Sequence, residues 1–169
     1  MFAKTLAVAA LALASLAVQA EAAQKKAYFA GGCFWCMESD FAKLEGVEDV
    51  VSGFTGGTLE NPTYAGDHTG HYEAVLVTYD PEAVTYRELL GHFWINIDPF
   101  DSRGQFCDKG DQYRTGIFTS DPAEVKQAEA SRKAAAETLG KKVVTEILPA
   151  APFWVAEEYH QDFYIKNPS

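Results

Sequence analysis

The stretch that most constrains the fold is residues 27–38, where an apolar run passes through two glycines into a helical pattern carrying two thiols. Ala27-Tyr28-Phe29-Ala30 reads as a buried strand. Beyond Gly31-Gly32, the positions Cys33, Met37, Phe41 and Leu44 recur at the intervals of one helix face. A strand, a tight Gly-Gly turn and a helix place Cys33 at a helix N-terminus. Free N–H groups and the helix dipole favour a negative charge there. Such a setting pulls a thiol from about 8.5 towards or below neutrality. A single cysteine is more often an inert packing residue. The glycine pair before Cys33 and a second thiol at Cys36 instead mark Cys33 as a nucleophile.

The same logic carried along the chain predicts a helix over 33–45, ended by Gly46, and a strand over 47–54. Residues 55–70 read as a loop with an Asn61-Pro62 turn signal. Residues 72–79 form the clearest strand, ended by Asp80-Pro81. Thr85-Tyr86-Arg87-Glu88 has capping-box spacing and opens a helix through about Ile95. A second long loop spans 96–112, and 115–119 is a short strand. Asp121-Pro122 starts a helix that stops at Gly140. Residues 142–148 read as the last strand, and an aromatic-rich tail wraps the surface with a short helix near 156–163. The expected architecture is α+β: a two-layer sandwich with a ferredoxin-like βαββαβ core, a mixed sheet, helices on one face and an extra C-terminal α-β. Loops as long as these two in a compact domain usually carry function.

Residues 1–20 fall outside that pattern. Lys4 precedes an apolar run over 6–18, and Val18-Gln19-Ala20 offers small residues for cleavage, so 1–20 is expected to be a secretory signal peptide. The run is short for a membrane span. The expected mature chain, 21–169, is then a single domain, exported to the periplasm and free of the membrane. The formal charge of −10 for the whole chain, −11 once Lys4 is removed, argues against nucleic-acid binding, which needs clustered Lys and Arg. Three cysteines do not make a plain disulfide framework, and in an oxidising compartment they point to redox chemistry. Cys33-x-x-Cys36 alone fits a redox pair or half a zinc site. Zinc is disfavoured, because only Cys107 and the scattered His68, His71, His92 and His160 remain to complete it. No metal or other cofactor is expected.

Residues 32–38, Gly-Cys-Phe-Trp-Cys-Met-Glu, resemble the signature of the A-class peptide methionine sulfoxide reductases. The resemblance continues through Asn61-Pro62-Thr63-Tyr64, Gly70-His71-Tyr72-Glu73-Ala74-Val75, Asn96-Ile97-Asp98-Pro99, residues 108–114 and residues 156–161, so it covers nearly all the expected mature chain. The Tyr64–Glu73 segment is shorter than in many members. The resemblance implies reduction of methionine S-sulfoxide, in oxidised proteins or as the free amino acid, back to methionine. Cys33 would attack the sulfoxide sulfur. The oxygen leaves poorly until protonated, so an acid must lie within reach, and the resemblance gives that role to Glu73. A carboxyl at the start of an apolar strand can be held protonated by desolvation. Tyr64 and Tyr113 would hydrogen-bond the same oxygen. Phe34 and Trp35 would wall the substrate methyl group, and Asp108 would hydrogen-bond near the substrate backbone.

Attack would leave Cys33 as a sulfenic acid, which condenses with a second thiol to a disulfide. Many relatives carry that thiol near the C-terminus, whereas this chain has no Cys after Cys107. Cys36, one helical turn away, and Cys107, beside Asp108, both qualify, and direct reduction is the third route. If 106–108 is extended, Asp108 facing the site turns Cys107 away, which favours Cys36. The expected partners are a thioredoxin-like dithiol reductant and oxidised protein substrates, with the enzyme a monomer. The alternative is a thiol–disulfide exchange protein using Cys33 and Cys36. It leaves Tyr64, Glu73 and Tyr113 without a task. A metal- or peptide-binding module ranks third.

Overall fold

The structure, a computed structural model, describes residues 23–168. The leader expected over 1–20 lies outside the described residues. The elements in chain order are β1 (Lys25–Gly31), α1 (Phe34–Phe41), β2 (Val47–Thr55), β3 (Tyr72–Tyr79), α2 (Tyr86–Ile95), β4 (Gly104–Gln105) and β5 (Asp108–Lys109). A 3-10 turn at Asp111–Tyr113 leads into β6 (Thr115–Phe118), α3 (Pro122–Leu139), β7 (Glu146–Leu148) and β8 (Trp154–Val155). A second 3-10 turn, Glu158–His160, precedes α4 (Phe163–Lys166). The fold is thus α+β with a mixed sheet. Its six strands run in the order β7-β6-β1-β3-β2-β8, with β6 and β7 parallel and every other pair antiparallel.

Alternation along the strands builds two unequal faces. Ala27 and Phe29 of β1, Val75 and Val77 of β3 and Ile117 of β6 join Phe41 of α1 and Leu89, Leu90 and Phe93 of α2 in the main core. Phe29 stacks on Phe41 at 5.0 Å and on Phe93 at 5.3 Å. Each such fully buried ring stabilises the fold by roughly 1.5–3 kcal/mol relative to exposure. The opposite face carries a smaller cluster of Ala30, Tyr72, Ala74 and Phe118, against which Tyr28, Leu148 and Phe153 pack.

Helix ends lie where the cap residues put them. Thr85 and Glu88 form a reciprocal capping box at α2. Asp121 accepts from Ala123 and Glu124 N–H at the start of α3, Pro122 occupies its first turn, and Gly140 closes it in the left-handed conformation. Three expectations need correction. The helix expected over 33–45 is shorter, because Cys33 is its N-cap and Phe41 its last helical residue. The strand expected over 142–148 keeps only Glu146–Leu148, paired in parallel with β6. The 96–112 loop contains the β4–β5 hairpin, and the tail does more than wrap: β8 adds to the far edge of the sheet, beside β2.

Candidate active site

The turn into α1 sets the geometry. Gly32 sits at φ +91°, and a Cβ there would lie 2.5 Å from Cβ of Gln105; a Cβ on Gly31 would lie 2.3 Å from Sδ of Met37. Both positions therefore require glycine, one for conformation and both for space. Gln105, itself buried, is fixed by the Asp98 backbone, donating to its carbonyl at 2.8 Å and accepting from its N–H at 2.7 Å. The hairpin thus clamps the turn from outside. Cys33 follows as N-cap, and its carbonyl accepts from Cys36 and Met37 N–H at 3.1 and 3.2 Å.

The two thiols act on each other. The Cys33 hydrogen bond is the main reason Cys36 is pulled down to about 6, and Tyr164 adds to it. The same bond, with burial, pushes Cys33 up, while the Trp35 and Cys36 N–H groups pull it back. Chemically, the pair gives up its first proton easily and holds the second. One negative charge therefore resides on the pair near neutral pH. Cys33 is partly buried and Cys36 is exposed.

Glu73, the second residue of β3, pairs with Phe54 near the end of β2, and it is 1% exposed. Its Oε2 accepts from Phe34 N–H, in the first turn of α1, at 3.1 Å. Its Oε1 is buried with no hydrogen-bond partner among the described residues. Burial pushes the carboxyl up to about 7, and the charges of Asp108 and Cys36 push the same way. Phe34 N–H and the nearby Tyr113 hydroxyl pull it back. Burial raises Tyr113 as well, followed by the charge of Glu73 and the neighbouring Tyr64. Tyr113 therefore stays a hydroxyl donor. Asp108 lines a cavity with Cys33 and Cys36, and its charge acts on Glu73, Cys36 and Tyr113.

An aromatic cage borders the acid. Phe34 is buried and forms its floor, edge-on to Phe54 at 5.7 Å and 6.1 Å from the Tyr64 ring. Trp35 lies 6.4 Å from Tyr64 and stacks on Phe163 at 3.6 Å. The structure thus brings together Cys33, Cys36, Glu73, Tyr113, Asp108, Phe34, Trp35 and Tyr64. On the other side of the thiols a cavity of about 330 Å³ is lined by Cys33, Cys36, Met37, Gln105, Phe106 and Asp108. Cys107 does not line it. It occupies the exposed tip of the β4–β5 hairpin beside Phe106, whose φ is +45°. The segment is therefore a tight turn, not the extended run that the alternation argument for Cys107 assumed.

Several contacts were not apparent from sequence. His160 is 1% exposed; its Nδ1 accepts from Trp35 Nε1 at 3.0 Å and its ring lies 4.5 Å from that of Tyr64. Glu157 accepts from Tyr64 N–H at 3.2 Å. Gln161 pairs with the Ser52 backbone in both directions at 2.9 Å. Buried Glu38 accepts from Asp162 N–H at 2.9 Å. All belong to the tail or to what it touches; the motif over 156–161 marked Glu157, His160 and Gln161 as a segment without indicating these partners. Among the described residues no group of three or more His, Cys, Asp and Glu is arranged as a metal site.

A thiol pair at a helix start beside a buried carboxyl poised near neutrality defines a thiol-dependent oxidoreductase. Comparison with known proteins narrows the class: the chain belongs to the peptide methionine sulfoxide reductase family, whose model matches residues 25–169. It is 53% identical over 147 residues to the peptide methionine sulfoxide reductase MsrA of Ligilactobacillus salivarius, spanning 84% of this chain and 86% of that one. It is 50% identical over 165 residues to MsrA 2 of Caulobacter vibrioides, spanning 94% of this chain and 84% of that one. Among solved structures, reduced Mxr1 of Saccharomyces cerevisiae superposes with a TM-score of 0.81 at 33% identity, covering 86% and 87% of the two chains. Methionine sulfoxide reductase A of Corynebacterium diphtheriae gives 0.77 at 34%, covering 88% and 77%.

Proposed function

We propose that this enzyme reduces the S epimer of methionine sulfoxide, in oxidised proteins and as the free amino acid, with Cys33 as nucleophile and Glu73 as acid. The observation that carries the roles is the Glu73 carboxyl: it is buried, poised at about 7, tied to α1 through Phe34 N–H, and has one oxygen without a partner. A proton held there is what a departing sulfoxide oxygen needs. The Cys33 thiolate attacks the substrate sulfur while the oxygen takes the Glu73 proton. The oxygen passes as hydroxyl to the Cys33 sulfur, the substrate S–O bond breaks, and methionine leaves, reduced by the two electrons that Cys33 loses in becoming a sulfenic acid. Tyr64 and Tyr113 donate to the oxygen as charge builds on it. Phe34 and Trp35 take the methyl group, and Asp108 orients the substrate backbone.

Cys36 then resolves the sulfenic acid. It lies one helical turn from Cys33 and lines the same cavity, whereas Cys107 sits on the hairpin tip and does not line it. A thioredoxin-like dithiol would reduce the resulting disulfide. A complex of Mxr1 with Trx2 is among the solved structures of like fold. We also read the βαββαβ core, with strands β6-β1-β3-β2 side by side, as ferredoxin-like. Residues 1–20 are read as an export signal and the mature protein as a periplasmic monomer; the matched part of the chain begins at Lys25. No described helix is long and apolar enough to cross a membrane.

A methionine sulfoxide assay with dithiothreitol tests the activity. A thiol–disulfide exchange protein would reduce insulin disulfides and leave the sulfoxide untouched. Peptide mapping after one turnover tests the resolver. A Cys33–Cys36 bridge is expected, and a Cys33–Cys107 bridge would hand that role to Cys107.

A further inference from the structure

The tail returns to α1 with a precision that sulfoxide chemistry does not require. At Asp162 the chain turns at φ +54°, and the Asp162 N–H is captured by Glu38 at 2.9 Å. Phe163 lies flat on Trp35, 3.6 Å between centroids and 4° from parallel. Lys166 ties the far end to the Glu158 carboxylate at 3.0 Å. These three anchors hold a side chain that is 48% exposed, Tyr164, with its hydroxyl 3.5 Å from Sγ of Cys36.

We propose that Tyr164 is a positioning residue for the resolving step, donating its hydroxyl proton to the Cys36 sulfur and holding that thiolate ready for Cys33. The inference rests on Cys36 being the resolver. The phenol is the donor of the pair because the Cys36 bond pushes it up to about 12, so it keeps its proton wherever the thiol has lost its own. The groups facing Cys36 pull in both directions: Cys33 and Tyr164 favour the thiolate, while Asp40 on α1 and Asp108 on β5 oppose it. Without Tyr164, two carboxylates would act on an exposed thiolate with Cys33 as its main support. During turnover Cys33 becomes a sulfenic acid, and Tyr164 is then the donor that remains unaltered.

The step balances simply. The Cys36 thiolate attacks the Cys33 sulfur, the S–S bond forms, the S–O bond breaks, and hydroxide leaves with one solvent proton as water. The Cys36 sulfur is oxidised and the Cys33 sulfur reduced. The rate follows the thiolate fraction of Cys36, which makes the Tyr164 bond kinetically visible.

The test separates this link from its premise. In the Cys33→Ser background, the pH dependence of Cys36 alkylation by iodoacetamide should move up by about half to one pH unit when Tyr164→Phe is added. In enzyme with Cys33 intact, Tyr164→Phe should still release one methionine per enzyme while disulfide formation near pH 7 slows by about three- to tenfold. Phe163→Leu, which loosens the strap without touching the hydroxyl, gives a second route to the same upward shift. An unmoved alkylation profile in both variants overturns the proposal, even if disulfide formation slows. A Cys33–Cys107 bridge in the peptide map overturns the premise instead.

Discussion

Cys33 and Glu73 are tied together by one backbone group: the Phe34 N–H that opens α1 binds the Glu73 carboxylate at 3.1 Å, so nucleophile and acid share a frame. Under the proposed chemistry, Cys33→Ser abolishes turnover and sulfenic-acid trapping, because a serine hydroxyl is a far weaker nucleophile at neutral pH. Residual activity above a few per cent would remove Cys33 from its role. Glu73→Gln keeps the shape and a hydrogen bond but has no proton to give. Its single-turnover rate should fall by about 10²-fold or more, and an unchanged rate would assign the proton to another group. Cys33 was legible from its local setting, the glycine turn before a helix; Glu73 was reached through the family resemblance, and its apolar strand was only consistent with that role. The roles of His160 and Tyr164 were not legible, since their partners Trp35 and Cys36 lie 125 and 128 residues away. Separations of that size leave no periodicity in a single chain.

Among the elements, α2 and α3 were readable to within a residue because caps announce ends: Thr85 with Glu88, Asp121 with Pro122, and Gly140. The β4–β5 hairpin and β8 were not, since two-residue strands are too short to alternate. The hairpin nonetheless matters for the site. Gln105 occupies the space a Gly32 side chain would need, and Gly32 lies at φ +91°. Gly32→Ala therefore combines backbone strain with a clash against a side chain that is itself fixed by Asp98. The strain alone costs about 1–3 kcal/mol. We expect a lower urea midpoint and a slower methionine burst, because Cys33 is the next residue and moves with the turn. A full-rate burst from destabilised enzyme would mean that the hairpin supports the fold without fixing the nucleophile.

For the molecule as a whole, the poised carboxyl has a consequence for stability as well as for rate. Glu73 is raised from 4.5 to about 7, chiefly by burial. Below about pH 4.5 the folded and unfolded chains both hold its proton, and it exerts no pull between them. As pH rises towards 7 the unfolded chain loses that proton while the folded chain keeps it, so folding loses ground. Above 7 both forms are ionised and the loss levels off, at a ceiling on the order of 3 kcal/mol. Cys36 has the opposite sign: lowered from 9.0 to about 6, it adds stability as pH climbs above 6. Wild-type stability alone therefore mixes two trends. The difference between Glu73→Gln and wild type separates them, because the variant keeps Cys36 and removes only the ionising carboxyl. Urea unfolding should give nearly equal stabilities at pH 4.5 and a more stable variant at pH 8, by up to that ceiling. The protein would then be less stable at neutral pH than its inactive variant, which is the expected cost of keeping an acid where water is excluded. A difference that stays flat across this range would show that Glu73 ionises in the folded chain as it does in the unfolded one, so that it holds no proton near pH 7, and the proton donor would have to be sought elsewhere in the cluster.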